Sequence, residues 1–250
     1  MTKITFAAFI ALIMSVTSLS AQGTDPFDVQ MRVYKSALKN YDLQTATIAL
    51  YNMQAIKPER TDLNDSLAII YFTSEKYAQA YFVANGIVTA DPKRNDMLEM
   101  VAVSQQNLGM IKESLSNYEK LYANGKSVYY LYEMAILQYQ LKRFGECIAS
   151  IDQILANPDA DKQKVNIRGQ QGSQDVPMKA AAYNVKGICA LEVNQPDAAK
   201  ENFNKAISLF PDFVAAKGNL ETLDKKNASG AKTPAATANK PAATSPAKPK

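Results

Sequence analysis

Any chemistry in this chain would have to rest on tyrosine, cysteine and carboxylate side chains. Its 250 residues contain no histidine, the commonest general base and metal ligand. No glycine-rich phosphate loop, paired-cysteine metal motif or nucleophile elbow is present. The acidic residues are scattered as on solvated helix faces. Cys147 and Cys189 are the only cysteines, enough for one disulfide at most. Aromatic residues crowd at one place, Val128-Tyr129-Tyr130-Leu131-Tyr132 followed by Tyr139. Tyr129, Tyr132 and Tyr139 are spaced by three and by seven, which on a helix sets them along one stripe. Tyrosine joins a large apolar face to a polar tip, a combination favoured where one protein grips another. These residue types support non-covalent recognition. They point to a non-enzyme with no catalytic residue, no cofactor and no metal.

Charge narrows the class of partner. The chain carries +4 overall, but Lys225, Lys226, Lys232, Lys240, Lys248 and Lys250 all follow Asp224 with no acid among them, and Lys3 lies in the N-terminal apolar segment. Without those seven lysines the body stands at −3. A body of that sign has no electrostatic reason to bind nucleic acid. The partner expected is a protein or peptide.

The elements that must position these residues begin after a presequence. Lys3 precedes an apolar run from Ile4 to Val16, and small residues follow at Ser18, Ser20 and Ala21. The run is too short for a membrane span and reads as a signal peptide over residues 1–21, cleaved after Ser20 or Ala21. Leu19-Ser20-Ala21 starts like a lipoprotein box, but Gln22 stands where the lipidated cysteine would be. The expectation is an exported protein, periplasmic or envelope-associated, with no acyl anchor and no membrane span. At the other end residues 225–250 are rich in Ala, Pro, Thr and Lys, with almost nothing to bury. They read as a disordered tail, basic enough to touch anionic envelope polymers.

Between these ends the sequence repeats. Ala46 and Ala80 are 34 apart, as are Pro58 and Pro92, and Leu43, Tyr77 and Ile111 form a series at the same step. The next step is 33, from Ser114 to Cys147, and the following one is 52, from Cys147 to Ala199. That last step is one repeat plus 18 residues. Apolar positions three and four apart predict two helices of about 13 residues in each repeat. Inner turns are expected at Glu75-Lys76, Leu108-Gly109 and Asn194-Gln195-Pro196. Helix ends are expected at Asp91-Pro92, Asn157-Pro158 and Phe210-Pro211, because the residue before proline avoids helical geometry.

The spacing resembles that of the tetratricopeptide repeat (TPR) family. The fullest match is Tyr183, Gly187, Ala190, Ala199, Phe203, Ala206 and Pro211; another is Leu67, Ala68, Tyr71, Tyr77, Ala80, Ile87 and Pro92. The resemblance covers about residues 27–224 within a domain taken as 22–224. It implies an all-α fold, a right-handed superhelix (α-solenoid) of about five helix-turn-helix repeats at roughly 27–60, 61–94, 95–127, 128–160 and 180–213. A capping helix is expected over 213–224, its apolar side formed by Val214, Leu220 and Leu223. Residues 159–179 interrupt the array. This polar insertion has Val165, Ile167 and Val176 as its sizeable apolar residues before Pro177, and reads as a surface loop, with Asp175 a candidate N-cap for the helix after Pro177. Cys147 occupies a small-residue position and Cys189 lies between Gly187 and Ala190, so both are expected as buried free thiols, with a disulfide between them as the second reading.

The family binds extended peptides or partner helices on its concave face, through the first helix of each repeat. On that pattern the groove would be lined by Ile69, Phe72, Val103, Tyr129, Tyr132, Ile136, Tyr139, Ile188 and Leu191. Gln106 and Asn184 share those stripes. Asp62, Asp65, Asp96 and Glu99 would make its N-terminal end acidic, favouring a ligand with basic residues beside apolar ones. Members that clamp the carboxylate tail of a heat-shock chaperone use a lysine where this chain has Met31, so that role is excluded. The function implied is a protein-protein interaction scaffold of the bacterial cell envelope, as part of an envelope assembly or secretion complex; a cell-wall-associated protein tethered by its basic tail is the alternative, and an enzyme with no recognisable motif comes third.

Overall fold

One turn recurs five times among the described residues of this protein. A computed structural model describes residues 25–169 and 172–228; the expected signal peptide and the tail from 229 onward lie outside them. The helices are α1 (Pro26–Lys39), α2 (Leu43–Ile56), α3 (Leu63–Thr73), α4 (Tyr77–Ala90), α5 (Asn95–Asn107), α6 (Ile111–Gly125), α7 (Val128–Gln140), α8 (Phe144–Ala156), α9 (Met178–Glu192), α10 (Pro196–Leu209) and α11 (Val214–Ala228). Within each of the pairs α1/α2, α3/α4, α5/α6, α7/α8 and α9/α10, three residues connect the helices, and the middle one has a left-handed backbone: Tyr41, Glu75, Gly109, Lys142 and Asn194, with φ of 57°, 57°, 78°, 59° and 58°. The following residue donates its N–H five residues back, in Asp42→Ala37, Lys76→Tyr71, Met110→Gln105, Arg143→Gln138 and Gln195→Ala190, at 2.8–2.9 Å. This is the Schellman closure, which satisfies carbonyls that the helix end would leave unpaired.

The same residue then starts the second helix. Its carbonyl accepts the N–H of Ala46, Ala80, Ser114, Cys147 and Ala199 in turn. These five side chains are small and fully buried. A turn of three residues brings the two helices together at once, and only a small group fits where they first touch. Polar groups reinforce the approach in two pairs. Gln105 accepts from Asn117 at 2.8 Å and Gln138 accepts from Ser150 at 2.9 Å, one repeat apart. Helices α4, α8 and α10 end at Asp91, Asn157 and Phe210, each followed by proline.

The backbone divides into two units, Met1–Ile70 and Tyr71–Lys250. In the first, Asp25 caps α1 by accepting from Phe27 N–H at 2.9 Å and pairs with Lys57 at 3.0 Å. The Lys57 ammonium lies 4.4 Å from the centre of the buried Phe27 ring. Ala46, Leu50 and Met53 of α2 are fully enclosed. In the second unit one apolar cluster runs from α7 through α8 and α9 to Phe213 and Ala216, and a smaller one joins α5, α6 and α7 through Leu98, Val103, Leu115, Tyr118 and Leu137.

The insertion differs from the surface loop expected. After a 3-10 turn over Pro158–Asp161 it forms an antiparallel hairpin, β1 (Lys164–Gly169) and β2 (Gly172–Pro177), with Val165 opposite Val176. Both valines are buried in the main cluster. Two apolar residues at matching strand positions are enough to fix the hairpin on one face, whatever the polarity of its other residues. Gln174 then ties it to the last helix, donating to the Asp212 carbonyl at 2.7 Å and accepting from Val214 N–H at 3.0 Å. Asp175 does not cap α9; it sits in β2 and accepts from Asn166 at 2.8 Å. The last helix also departs from expectation. It continues to Ala228; Phe213, Ala216, Asn219 and Leu223 are buried on its covering side, Leu220 packs there half-buried as expected, and Val214 is exposed.

Gly187 supplies the sharpest test of the packing. A Cβ built there would stand 2.5 Å from Cε1 of Phe203, a ring that is itself fully enclosed and cannot swing away. Alanine is the better helix former by about 1 kcal/mol, so propensity alone predicts that Gly187→Ala stabilises. Overpacking predicts the reverse, a loss of roughly 1–3 kcal/mol. Urea denaturation of the variant should show a lower midpoint than the wild type.

Candidate functional site

Of the nine residues expected to line a groove, the eight in the second unit do not form one surface. Val103, Tyr132, Ile136 and Ile188 are buried, at 1–2% exposure, so they are core residues and not partner contacts. Tyr132 and Ile136 belong to the main cluster, and Ile188 packs with Phe203 and Leu223. The cause is the position of their helices. On α7, Val128, Leu131, Tyr132, Glu133, Ala135, Ile136, Leu137 and Gln138 are all buried, because neighbours cover more of the helix than one apolar stripe requires. Phe72, Tyr129, Tyr139 and Leu191 are half-buried. Phe72 stacks edge-on with Tyr77, and Tyr139 packs near Phe144 while its hydroxyl donates to Glu192 at 3.2 Å. Ile69 is exposed in the first unit. Gln106 and Asn184 are buried as well.

The expected acidic end also changes. Asp62 is paired with Arg60 and Asp96 with Arg94, each at 2.7 Å. These pairs repeat at the same step of 34, and each aspartate is held below the usual carboxylate range, chiefly by the hydrogen bond from its arginine. Neither offers a bare charge to a ligand.

What the structure brings together instead is a cluster on α5, α6 and α7. Glu99 and Glu133 stand on consecutive first helices, 34 residues apart, one position more than the 33-residue step between these two repeats. Glu133 is fully buried. Burial pushes its carboxyl up to about 8; the Glu99 charge adds to the rise, and Gln106 and Tyr129 oppose it. Glu99 is half-buried, and burial raises it too, against a hydrogen bond that Tyr130 donates at 2.8 Å. The Tyr118 ring lies 6.2 Å from that of Tyr130, which lies 5.7 Å from that of Tyr129. The buried Tyr118 hydroxyl and the Gln106 amide nitrogen reach no partner at hydrogen-bonding geometry. The result is a cluster in which Glu99, Tyr129 and Tyr130 are half-buried and Glu133, Gln106 and Tyr118 are buried, called the acidic slot below.

A carboxyl is costly to bury ionised, and the charge of Glu99 adds to that cost at Glu133. At neutral pH Glu133 therefore holds a proton that a cation would displace. Such a site suits an ammonium or guanidinium group flanked by aromatic rings. Tyr129 was legible in the sequence and Glu133 was not. Glu133 stands beside Tyr132 in the aromatic run, and nothing in its spacing set it apart from the other acids. No helix among the described residues is long and apolar enough to cross a membrane.

Residues 180–213 match the tetratricopeptide repeat family. The fold matches that of a tetratricopeptide repeat protein from Parabacteroides merdae, with a TM-score of 0.63 at 18% identity over 82% of this chain and 76% of that one. It matches YrrB, described as a TPR protein with an unusual peptide-binding site, with a TM-score of 0.60 at 12% identity over 77% and 90% of the two chains. It also matches MamA from Desulfovibrio magneticus, with a TM-score of 0.58 at 11% identity over 76% and 98%. At these identities the likeness is one of fold. No protein of curated function matches the chain in sequence.

The raised carboxyl has a measurable consequence. An ordinary glutamate titrates near about 4.3, whereas Glu133 in the folded protein titrates at about 8. Between those values the folded state binds more protons than the unfolded one, so stability falls as pH rises. Glu133→Gln removes that titration. Its unfolding free energy should change less than that of the wild type between pH 5 and pH 8, and exceed it at pH 8 by on the order of a few kcal/mol. Parallel profiles for the two proteins would show that the carboxyl titrates normally.

Proposed function

We propose that this chain, which carries a tetratricopeptide repeat at residues 180–213 and shares the fold of tetratricopeptide-repeat proteins, is a non-enzymatic scaffold of the bacterial cell envelope that holds a segment of a partner protein through one basic side chain. The fold itself points to protein-protein interaction; the peptide-binding site named for YrrB belongs to that protein, and supports the same class of ligand here. The observation that carries the proposal is the Glu99–Glu133 pair set among Tyr118, Tyr129 and Tyr130. A lysine or arginine entering the slot would release the proton from Glu133 and convert a destabilising buried acid into half of an ion pair. Export supports the envelope setting and rests on residues 1–21, as read from the sequence. The scaffold would act after removal of those residues, in an assembly or secretion complex.

Specificity follows from the chemistry. A neutral peptide gains nothing from the carboxyls, and an acidic one is repelled. Half-buried Tyr129 and Tyr139 offer apolar surface for neighbouring residues of the partner. The test is capture from bacterial envelope and cytosolic extracts by the mature protein and by a Glu99→Gln, Glu133→Gln double variant with unchanged circular dichroism. The wild type should retain partners from the envelope extract, bind the purified partner more tightly as pH rises from 6.5 to 8.5, and lose at least tenfold in affinity in the variant. Equal capture by both proteins would refute the role of the slot; partners drawn from the cytosolic extract alone would refute the envelope setting.

A further inference from the structure

Cys147 and Cys189 stand apart from the acidic slot and contribute nothing to it. Cys147 is in the first turn of α8 and Cys189 in the last turn of α9, on consecutive repeats. Both are free and fully buried. Their Sγ atoms lie 3.2 Å apart, with the Cys189 thiol donating to Cys147, closer than sulfurs come in ordinary non-bonded contact. At the position of Cys147 the other repeats carry Ala46, Ala80, Ser114 and Ala199. Helix packing there asks only for a small group, and a thiol facing a second thiol goes beyond that need.

The chain between the two cysteines is fixed where it leaves α8 and where it enters α9. Lys179 pairs with Asp161 at 2.7 Å, the Met178 N–H donates to the Gln163 carbonyl at 2.9 Å, and Val165 and Val176 are held in the core. Tyr139 of α7 reaches Glu192 at the end of α9. These ties keep the helices that carry the sulfurs at their present separation. A disulfide bond of about 2.05 Å then requires the sulfurs to close by little more than an ångström, within the reach of side-chain rotation.

We propose that Cys147 and Cys189 form a disulfide that clamps α8 of one repeat to α9 of the next across the hairpin insertion, with a small-molecule or protein disulfide as the oxidant. One cysteine thiolate attacks a sulfur of the oxidant, forming a mixed disulfide and expelling one thiolate. The second cysteine thiolate attacks the protein sulfur of that mixed disulfide and expels the other. The protein gives up two electrons and two protons, and the oxidant leaves as two thiols.

The surroundings decide when this happens. The thiolate is the attacking species, and in the folded protein the Cys189 hydrogen bond and burial both push the Cys147 thiol up. Exchange in the native state is therefore slow in both directions. In the unfolded chain both thiols are open to solvent. The bond forms during folding, before the contact is sealed, and afterwards resists reductant for the same reason. That behaviour belongs to a structural clamp and not to a redox catalyst.

The experiment uses the full chain with oxidised glutathione as the probe. Reduced, denatured protein is refolded with the probe, and native reduced protein is exposed to it in parallel. Remaining thiols are alkylated under denaturing conditions and the products mapped by mass spectrometry. Refolded protein should yield a cross-linked Cys147–Cys189 peptide pair and no alkylated cysteine, and the native protein should oxidise at least tenfold more slowly. The cross-linked form should melt about 5–10 °C above its reduced form, a shift that Cys147→Ala abolishes. Two alkylated cysteines, a persistent glutathione adduct, or a cross-linked form that melts lower than the reduced one would overturn the proposal.

Discussion

A residue held in left-handed geometry at the middle of every three-residue turn sets the terms for the rest of this structure. Four of the five, Tyr41, Glu75, Lys142 and Asn194, are not glycine, and a side chain in that geometry costs on the order of 1 kcal/mol. The cost is met by what the turn achieves. It closes the first helix with two backbone hydrogen bonds, caps the second, and brings the pair into contact within three residues. The small residue four positions later follows from that closeness, as does the exclusion of any Cβ at Gly187, where Phe203 of the facing helix fills the space.

A strict turn also keeps the repeats in phase, and the candidate site forms where consecutive first helices lie side by side. Equivalent positions of consecutive first helices come side by side. Where those positions are Ala or Leu the outcome is ordinary core. Glu99 and Glu133, one position off that register, set a half-buried carboxyl and a fully enclosed one on neighbouring helices, and the Glu99 charge adds to the rise of Glu133. The packing that pairs Gln105 with Asn117 and Gln138 with Ser150 for stability also holds a group of side chains that is costly to the unliganded protein. Cost of that kind gathers at functional sites.

The turns, the small residues and the proline-marked helix ends were legible because each is a local requirement written at a fixed spacing. Burial was not, because it depends on neighbours. Tyr132 and Tyr139 look alike on one stripe, yet one is enclosed and the other half-open. The hairpin was hidden for a related reason: two valines in a polar segment carry little signal until their register brings them to one face. Glu133 was lost among acids that face water. Its special character arises from burial by neighbouring helices, with the Glu99 charge adding to it, and neither is written beside it in the chain.

The most direct measurement is the titration of the Glu133 side-chain carboxyl by carbon-detected NMR, on the free protein and in the presence of a captured basic partner segment. The account predicts a midpoint near 8 for the free protein and a fall of at least one unit when the segment binds, as a cation takes the place of the proton. A midpoint in the ordinary glutamate range for the free protein would contradict the buried slot, and a midpoint unmoved by the bound segment would contradict its use for a basic side chain.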